Sequence, residues 1–340
     1  MSENVFNLIQ FGRQAGTFAA PGSAVAATFK YPVEAAVNFD LDRASTFPKQ
    51  DVGRNVRNRA GSGFHGLRAA SATLPAHVRF EDIMDILEMH AAGSVTPTGG
   101  GPYTWVYPCE GGAPTLIPYT IQGGNNDVAE APRRLRSALI DQLTIGFAAL
   151  TAPGAYPWTL SAEVVALDRE ISALTASLAP RTGLETVQGH LSRLYEGVTG
   201  TAFASLAELA GSLKSFTLTS TRALARRAYG SASDLATSFG FTDQSNATFE
   251  ALVGISATAK TDFHDIWNSA GGSLGERRWR IQAAGTGTKM FTIDLRAGIM
   301  AVPDDEVDGE RVFKVTGELV DDSTLNAPWQ ATVVNSISAL

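Results

Sequence analysis

The chain has 340 residues, of which 44% are hydrophobic and 18% are charged, and its formal net charge is −7. A protein that grips nucleic acid or an anionic membrane normally presents a basic face, so this charge balance argues against both functions. The single cysteine, Cys109, excludes an intrachain disulfide and a cysteine-based zinc site. No window approaches the roughly 18 uninterrupted apolar residues of a membrane helix, and the start of the chain lacks the pattern of a signal peptide. We therefore expect a protein made and assembled in a cytoplasm.

The first third of the chain predicts an arm, a strand pair and one helix. Residues 1–35 mix Gly, Ala, Pro and Thr without a helical period, which predicts an extended N-terminal arm. A strand is expected at Ala36–Leu41, followed by a long loop that contains Arg54, Arg57 and Arg59. Another strand is expected in the stretch "HGLRAASATLP".

Residues 80–92 carry the clearest helical signal. Phe80, Ile83, Met84 and Leu87 recur at helical spacing and predict an apolar stripe that packs on the rest of the protein. Glu81, Asp85 and Glu88 share another face. His90 lies about 200° around the helix from Glu88, so the two side chains do not converge on a metal. We interpret the carboxylates as the solvent-exposed side of a docking helix.

Most of the remaining sequence predicts strands. Leu143, Ile145 and Phe147 alternate with Gln142, Thr144 and Gly146, and Phe291 to Ile299 keep a period of two. Residues 172–213 are ambiguous, because "GLETVQGHLSRLYEGV" fits either a helix or a strand, whereas "AFASLAELAGSL" favours a short helix. The predicted strands of the rest of the chain are "YTWVYP", "TLIPYTIQGG", "SALIDQLTIGF", "PWTLSAEVVALDREI", "LKSFTLTST", "TFEALVGISATA", "RRWRIQAA", "MFTIDLRAGIM", "RVFKVTGELV" and "PWQATVVNSISAL".

A weak internal sequence repeat suggests how the strands are organised. The order "LIDQLTIGF…TLSAEVVALD" is similar to "LKSFTLTST…FEALVGISATA". We expect a β unit over residues 36–210 that contains the helix. Residues 211–340 form either a second, duplicated β unit or the completion of the first.

No catalytic or metal-binding pattern is present in the sequence. The five histidines stand apart, "GTGTK" at 285–289 lacks the full phosphate-loop frame, and "PDDEVDGE" lacks the register of a calcium loop. We predict no enzyme activity, cofactor or metal. Tyr103, Trp105 and Tyr107 share one face of a strand and leave a sugar-binding platform as an alternative, although aromatics at this spacing are more often buried.

Several of these stretches, taken in order, resemble the tail tube (major tail) proteins of long-tailed bacteriophages. The similar stretches are "GRQAGTFAAPGSAVAAT", "ATLPAHVRFEDIMDILEMHAAG", "YTWVYP…TLIPYTIQGG" with "RLRSALIDQLTIGF", and "RVFKVTGELVDDSTLNAPWQATVVNSISAL". The resemblance implies a mainly β fold, a tail-tube-type β-sandwich or half-barrel with one flanking α-helix. It also implies subunits that join edge to edge into rings, which stack into a tube around an acidic channel for DNA in transit.

The resemblance further implies the partners and the location of the protein. The main partner is the chain itself, as a hexameric ring or as a pseudo-hexameric ring of three duplicated chains. Tail tip or baseplate proteins, a tail terminator and a tape measure protein in the lumen are the others. The location is the virion tail, assembled in the bacterial cytoplasm. Another structural or minor tail component, or an injection-machine β protein, is the alternative function.

Two sets of residues are candidates for contacts between subunits and between rings. One set is basic or lies in the N-terminal arm, and the other is acidic, so the two could meet across an interface. The first set is Gln14, Thr17, Phe18, Arg54, Arg57 and Arg59, and the second is Asp304, Asp305, Asp308, Asp321 and Asp322.

Overall fold

A computed structural model describes most of the chain. The description covers residues 5–340 except 17, 21–22, 47–63, 92–94, 110–115, 126–131, 149–155, 211–212, 228–236, 242–245, 256–274, 302–303 and 308. Thr17, Arg54, Arg57, Arg59 and Asp308 therefore lie outside the described residues.

The described residues form a mainly β fold with antiparallel strands and one α-helix, as the sequence predicts. The helix, α1, spans Ile83–His90, and single 3₁₀ turns occupy Gly189–Leu191 and Phe203–Ser205. The strands of the first half are β1 (Val5–Phe6), β2 (Leu8–Arg13), β3 (Phe29–Tyr31), β4 (Val37–Asn38), β5 (Asp40–Thr46), β6 (Phe64–His77), β7 (Tyr103–Cys109), β8 (Tyr119–Gly124), β9 (Arg133–Phe147), β10 (Thr159–Ala166) and β11 (Asp168–Ile171). Those of the second half are β12 (Ser192–Val198), β13 (Ala207–Glu208), β14 (Leu213–Thr221), β15 (Leu224–Arg227), β16 (Ser238–Phe241), β17 (Asn246–Gly254), β18 (Glu276–Ala284), β19 (Met290–Ala301), β20 (Asp304–Val307), β21 (Glu310–Leu319) and β22 (Trp329–Asn335).

A main sheet runs through both halves of the chain. Its strand order is β5-β6-β10-β9-β14-β17-β21, and every pairing is antiparallel. Beyond β21 it continues into β19 and β18, and β19 also pairs with β22, whose other neighbour is β7. The pairings β9–β14, β7–β22 and β12–β18 all join residues before position 210 to residues after it.

Strand β9 changes partners along its length. Residues up to Ala138 pair with β8 and β11, whereas residues from Leu139 onward pair with β10 and residues from Gln142 onward also pair with β14. Ser137 has a φ of 50°, an uncommon value for a residue other than glycine. This local turn of the backbone lets one strand join two parts of the sheet network.

The N-terminal segment is part of the subunit core, which corrects the prediction of an extended arm over residues 1–35. Strand β2 pairs with both β3 and β8. Phe6, Ile9 and Phe11 are buried, and Phe11 stacks on Tyr31 with ring centroids 4.5 Å apart. All four central residues of β2 are buried, and the apolar side chains among them hold the segment against the sheet.

The ambiguous segment 172–213 contains a strand and no α-helix among its described residues. Strand β12 forms because all of Ser192–Val198 pairs with β18. The stretch predicted as a short helix instead contains a 3₁₀ turn and the two-residue strand β13, so that prediction was wrong. Pairing with a distant strand outweighs weak local helix preference here.

Large aromatic side chains fill the space between the main sheet and strands β18, β19 and β22. Trp158 packs edge-on against Phe291 of β19 at 5.5 Å and contacts Phe216 of β14 at 5.8 Å. Phe249 of β17 contacts Trp279 of β18 at 5.6 Å. These contacts make one continuous core from both sides of position 210.

Candidate assembly surfaces and the buried helix

The outer side of the main sheet presents mostly hydroxyl groups. Strand register aligns side chains in transverse rows from β6 to β21, and we call these rows the hydroxyl face. The first row is Pro75, Ser161, Thr144, Thr219, Thr248 and Glu318, the second is His77, Thr159, Gly146, Thr217, Glu250 and Thr316, and the third is Thr73, Glu163, Gln142, Thr221 and Asn246.

Strand alternation produces this face. Leu160, Ile145, Leu218 and Phe249 lie between the first two rows and are at most 3% exposed, so they hold the opposite side of the sheet in the core. Thr144 and Thr219 interact across the central strand pair at 3.3 Å. A shallow groove of about 410 Å³ runs over β14, β17 and β21 between Thr217, Thr248 and Thr316.

The charges of the hydroxyl face are acidic. Glu163, Glu250 and Glu318 belong to the three rows, and none of the rows contains lysine or arginine. Lys314 lies beyond the rows and forms an ion pair with Glu250 at 3.0 Å. A phosphate backbone would therefore meet hydroxyls and carboxylates on this surface, and few cations to hold it.

Helix α1 is enclosed, which corrects the interpretation of its carboxylates as a solvent-exposed face. All eight residues from Ile83 to His90 are buried, and so are Phe80, Glu81 and Asp82 before them. The apolar residues Phe80, Ile83, Met84 and Leu87 are each 0% exposed. A buried carboxylate needs a cation or hydrogen-bond donors, and the surrounding strands and loops provide them.

Two carboxylates of α1 are bound by arginines from distant segments. Glu88 accepts two hydrogen bonds from Arg13 of β2, at 2.6 and 2.7 Å, and a third from the Tyr119 hydroxyl at 2.7 Å. Asp85 accepts two from Arg181, at 2.5 and 3.0 Å. Burial raises the pKa of Asp85, and Arg181 opposes that shift. The helix therefore connects β2, β8 and the loop before β12.

The turn before α1 attaches two more segments. Glu81 accepts a hydrogen bond from the Glu185 backbone N–H at 2.9 Å and forms an ion pair with Lys289, which lies in the turn between β18 and β19. Lys289 also lies 3.1 Å from Glu185. The stretch "GTGTK" is thus a turn between two strands, and its lysine stabilises the fold.

The Asp82 carboxyl group is buried without a hydrogen-bond donor among the described residues. It is 1% exposed, and neither carboxyl oxygen has a hydrogen-bond partner among the residues that the structure describes. Arg79 lies 3.6 Å away, which gives Coulombic attraction without a hydrogen bond. Burial outweighs that attraction and raises the pKa of Asp82 to about 8, with Asp85 and Glu81 adding to the shift. Asp82 is therefore mainly protonated at neutral pH.

His90 ends the helix as a structural residue. Its ring nitrogens lie 3.2 Å from the carbonyl oxygen of Ile140 and 2.9 Å from the Ser220 hydroxyl. Burial, with a smaller contribution from Arg222, lowers its pKa to about 3, so the ring is neutral at neutral pH. Arg222 donates to the backbone carbonyls of His90 and Ala91 and so caps the last turn.

The predicted contact residues fall into different environments. Gln14 is buried, donates to Thr120 at 3.0 Å and accepts from Ser137 at 3.1 Å. Asp322 is buried and accepts two hydrogen bonds from Arg278, at 2.7 and 2.9 Å. Both side chains stabilise the subunit itself, which corrects their assignment to a surface between rings. Gln14 and Asp322 are buried because each is hydrogen-bonded to polar side chains of the same chain.

The remaining contact candidates lie nearer the surface. Phe18 is half-buried against Phe239, with ring centroids 5.8 Å apart. Asp321 and Asp305 are exposed, and Asp304 begins strand β20.

The aromatic strand β7 does not form a sugar platform. Trp105 is 1% exposed and Tyr107 is 0% exposed, and their rings stack at 6.5 Å within the core. Trp105 donates a hydrogen bond to the carbonyl of Ile337 at 3.0 Å. These rings therefore anchor the C-terminal segment.

Neither metal ligation nor a membrane span emerges from the described ranges. They contain no group of three or more His, Cys, Asp or Glu side chains placed to hold a metal ion. They also contain no helix long and apolar enough to cross a bilayer. The chain matches no protein-family model, and no curated protein shows significant sequence similarity to it.

Proposed function

We propose that the chain is the structural subunit of a phage-type tail tube, in which the hydroxyl face lines the channel. The observation that carries the proposal is that face: a broad antiparallel surface of threonine and serine with acidic charges and no lysine or arginine in its three rows. DNA binds proteins mainly by exchanging counterions for Lys and Arg. A surface without those cations lets DNA pass without being held.

The buried charge network is consistent with a structural role. Helix α1 connects β2, β8, the loop before β12 and the β18–β19 turn through Glu88, Asp85 and Glu81. Ion pairs of this kind stabilise little compared with apolar packing, but they fix one arrangement of the segments that meet there. A tube subunit needs one fixed shape because small errors repeat at every ring.

The proposed assembly follows from edge strands and symmetry. In the described pairings, β5 pairs on one side only, with β6, whereas β7 pairs with β22 and is bridged on its other side at Thr104 by Thr98. An unpaired edge is a template for pairing with another copy, and ring closure removes such edges. Six chains per ring, or three chains if the unit is duplicated, are the two ring sizes to distinguish.

The proposed partners and location follow the same function. The ring would meet a tail terminator at one end and tail tip or baseplate proteins at the other, with a tape measure protein and then DNA in the lumen. The location is the virion tail, after assembly in the bacterial cytoplasm. Enzyme activity and a cofactor have no place in this proposal.

Negative-stain electron microscopy of the purified chain tests the proposal. We expect hollow tubes of stacked rings whose length increases with protein concentration, and rotational averages with sixfold symmetry or threefold symmetry. Quantitative mass spectrometry of purified virions gives the copy number, which separates a tube subunit from a minor tail protein. Tens to hundreds of copies per virion would support a tube subunit. A few copies would reject the tube in favour of a minor tail protein, and no copies would reject both.

A second experiment tests the channel assignment. Replacing Thr219 and Thr248 with lysine puts cations in the centre of the hydroxyl face, and tubes of this variant should retain DNA in low salt. Thr182→Lys, at an exposed loop position, is the matched control and should release DNA like the parent protein. Equal DNA retention by both variants would contradict the assignment of this face to the lumen.

A further inference from the structure

One long segment of the chain crosses the start of helix α1 between β11 and the 3₁₀ turn at Gly189–Leu191. This segment, residues 172–188, belongs entirely to the described residues, and we call it the strap. The strap contains no strand, and Val187 is its one buried residue. Its β-type pairing is limited to three isolated bridges, Lys30–Pro180, Arg79–Thr186 and Pro157–Gln188. A segment with so little buried surface opens locally at a lower free energy than the core.

Arg181 attaches the strap to the first turn of α1. It donates two hydrogen bonds to the Asp85 carboxylate, at 2.5 and 3.0 Å, and one to the Glu81 carbonyl at 2.8 Å. Its guanidinium group also lies over the Phe29 ring of β3, 4.2 Å from the ring centroid. The position of the strap therefore depends on the charges at the start of the helix.

Glu185 attaches the strap to the residues just before α1. Its backbone N–H donates to the Glu81 carboxylate at 2.9 Å, and its backbone carbonyl accepts from the Phe80 N–H at 3.1 Å. Its own carboxylate lies 3.1 Å from Lys289 of the β18–β19 turn. The strap is thus held by residues on both sides of Asp82.

Ionisable groups from every element around Asp82 face its buried carboxyl. They are Arg79 in the turn after β6, Tyr31 of β3, Glu81 and Asp85 at the start of α1, and Arg181 of the strap. Arg79 already donates to Glu34 at 2.9 Å. Arg181 likewise donates to Asp85, so both arginines are shared with other carboxylates. Burial therefore dominates and raises the pKa of Asp82 to about 8, so the carboxyl is neutral at pH 7 while the strap is closed.

The closed strap does not accommodate an ionised Asp82. Removing a carboxylate from water without hydrogen-bond donors is strongly unfavourable, and admitting water removes that penalty. We propose that the strap is a pH-sensitive cover of α1, closed while Asp82 holds its proton and open once that proton is lost. Opening separates Arg181 from Asp85 and lets water reach the carboxylates at the start of the helix. The cover is a property of the single chain and does not depend on the proposed tube.

Proton linkage fixes the direction and size of the effect. In the closed strap the pKa of Asp82 is about 8, and in the open strap hydration returns it toward 3.8. Opening therefore releases a proton at any pH between these values, so the opening equilibrium rises about tenfold per pH unit. The protection of strap amides against hydrogen exchange should fall by the same factor per unit from pH 5 to pH 7 and level off above pH 8.

Two other charged groups that hold the strap titrate outside this range. Burial favours a higher pKa for Glu185, but hydrogen bonds from Thr286 outweigh it and hold that pKa below 4.5. Burial favours a lower pKa for Lys289, but hydrogen bonds to Glu81 and Glu185 outweigh it and hold that pKa above 10.5. A slope between pH 5 and pH 7 therefore reports on the buried carboxyls at the start of the helix, and the substitution Asp82→Asn isolates the contribution of Asp82.

Hydrogen exchange with mass-spectrometric detection tests the proposal on the full chain, below the concentration at which it assembles. The readout is the protection of the Glu185 and Val187 amides, which donate to Glu81 and Val78 in the closed strap, after correction for the intrinsic exchange rate at each pH. In the parent this protection should fall about tenfold per unit between pH 5 and pH 7. Asp82→Asn should lose most of that decline.

Controls separate the loss of the proton from a loosened strap. Asp321→Asn, at an exposed aspartate, should behave like the parent. Thr175→Ala removes the hydroxyl that donates to Gln122 at 3.1 Å, so it should lower strap protection by one factor at every pH and keep the slope. The Thr237 amide, which donates to Arg227 in the separate β15–β16 sheet, should show no such slope.

Each outcome of the exchange experiment decides for or against the cover. A pH slope at Glu185 and Val187 that Asp82→Asn removes and Thr175→Ala keeps supports it. Strap protection that is independent of pH in the parent would overturn it, and so would a slope that Asp82→Asn leaves unchanged. An equal slope at Thr237 would show that the whole chain unfolds, and it too would reject a local cover. Electron microscopy decides the tube function separately, so either proposal can fail alone.

Discussion

Asp82 offers the sharpest test of the buried network, through the substitution Asp82→Asn. The carboxyl is buried before α1 with no hydrogen-bond partner, and its pKa is raised from 3.8 to about 8, chiefly by burial. The folded chain therefore holds a proton that the unfolded chain releases. Between about pH 4 and pH 8 the unfolded state binds fewer protons, so the free energy of unfolding falls as the pH rises.

The size of the effect follows from the shift. At pH 7 the unfolded carboxyl is ionised, and re-protonating it costs about 1.36 kcal/mol for each of the 3.2 pH units between 3.8 and 7, which is about 4 kcal/mol. Asparagine is neutral at every pH and removes this cost. Its buried carboxamide needs partners that the site does not provide, at about 1–3 kcal/mol. We expect Asp82→Asn to stabilise the folded chain by about 1–3 kcal/mol at pH 7 and to destabilise it by about 0.5–2.5 kcal/mol near pH 4, where almost no protonation cost is left to remove.

The assay is urea unfolding of parent and variant at several pH values from 4 to 8.5, below the concentration at which the chain assembles. The difference between the two proteins is the quantity to compare, because it cancels the effect of His90. That histidine has a pKa lowered to about 3, so its contribution to stability is lost as the pH falls below about 6.5 and opposes the Asp82 effect in the parent. Asp321→Asn, at an exposed aspartate, is the matched control. A difference between Asp82→Asn and parent that stays constant across the pH range would refute the reasoning.

Three further predictions concern the core and the channel. Arg13→Leu removes the cation that binds the buried Glu88 carboxylate and leaves Tyr119 as its donor, so it should lower the free energy of unfolding by about 3–5 kcal/mol, measured with urea. The double variant Arg13→Leu with Glu88→Leu should recover at least half of that loss. No recovery would show that the two residues are not coupled. Phe216→Ala removes a fully buried ring beside Trp158 and should lower the free energy of unfolding by about 3–5 kcal/mol, measured with urea. A loss below about 1 kcal/mol would show that the aromatic core is not closely packed around Phe216. The lysine pair at Thr219 and Thr248 should lower the free energy of unfolding by no more than about 2 kcal/mol, because both positions point outward and the cost is limited to lost strand preference and repulsion between two directly opposite lysines.

The sequence predicted the fold class and the helix from local pattern. The apolar stripe of Phe80, Ile83, Met84 and Leu87 is periodic, and all four residues are buried. Strand alternation predicted the inward side of β9 in the same way, since Leu143 and Ile145 are buried. Such patterns report which face of an element avoids water, provided that one face does.

The environment of the helix carboxylates could not be read from the sequence. Amphipathic spacing separates apolar from polar residues, but it does not show that the polar face contacts solvent. In α1 every residue is buried, so the polar face packs against other segments of the chain. The partners of Glu88, Asp85 and Glu81 are Arg13, Arg181 and Lys289, which are far from the helix in the chain. Pairings at such separations depend on the topology, and local periodicity carries no information about them.

The hydroxyl face, too, could be predicted from the sequence only in part. The alternation of Thr217 and Thr219 with apolar residues is visible in "LKSFTLTST". That these threonines align with Thr144 on one side and with Glu250 and Thr248 on the other depends on strand order and register.

The most direct test of the central claim is negative-stain electron microscopy of the purified protein over a series of concentrations, with rotational averaging of end-on views. We predict hollow tubes of stacked rings, with sixfold or threefold symmetry and a central channel. Solid filaments, closed dimers, or single subunits at every concentration up to about 100 µM would contradict the claim that this chain builds a tube by itself.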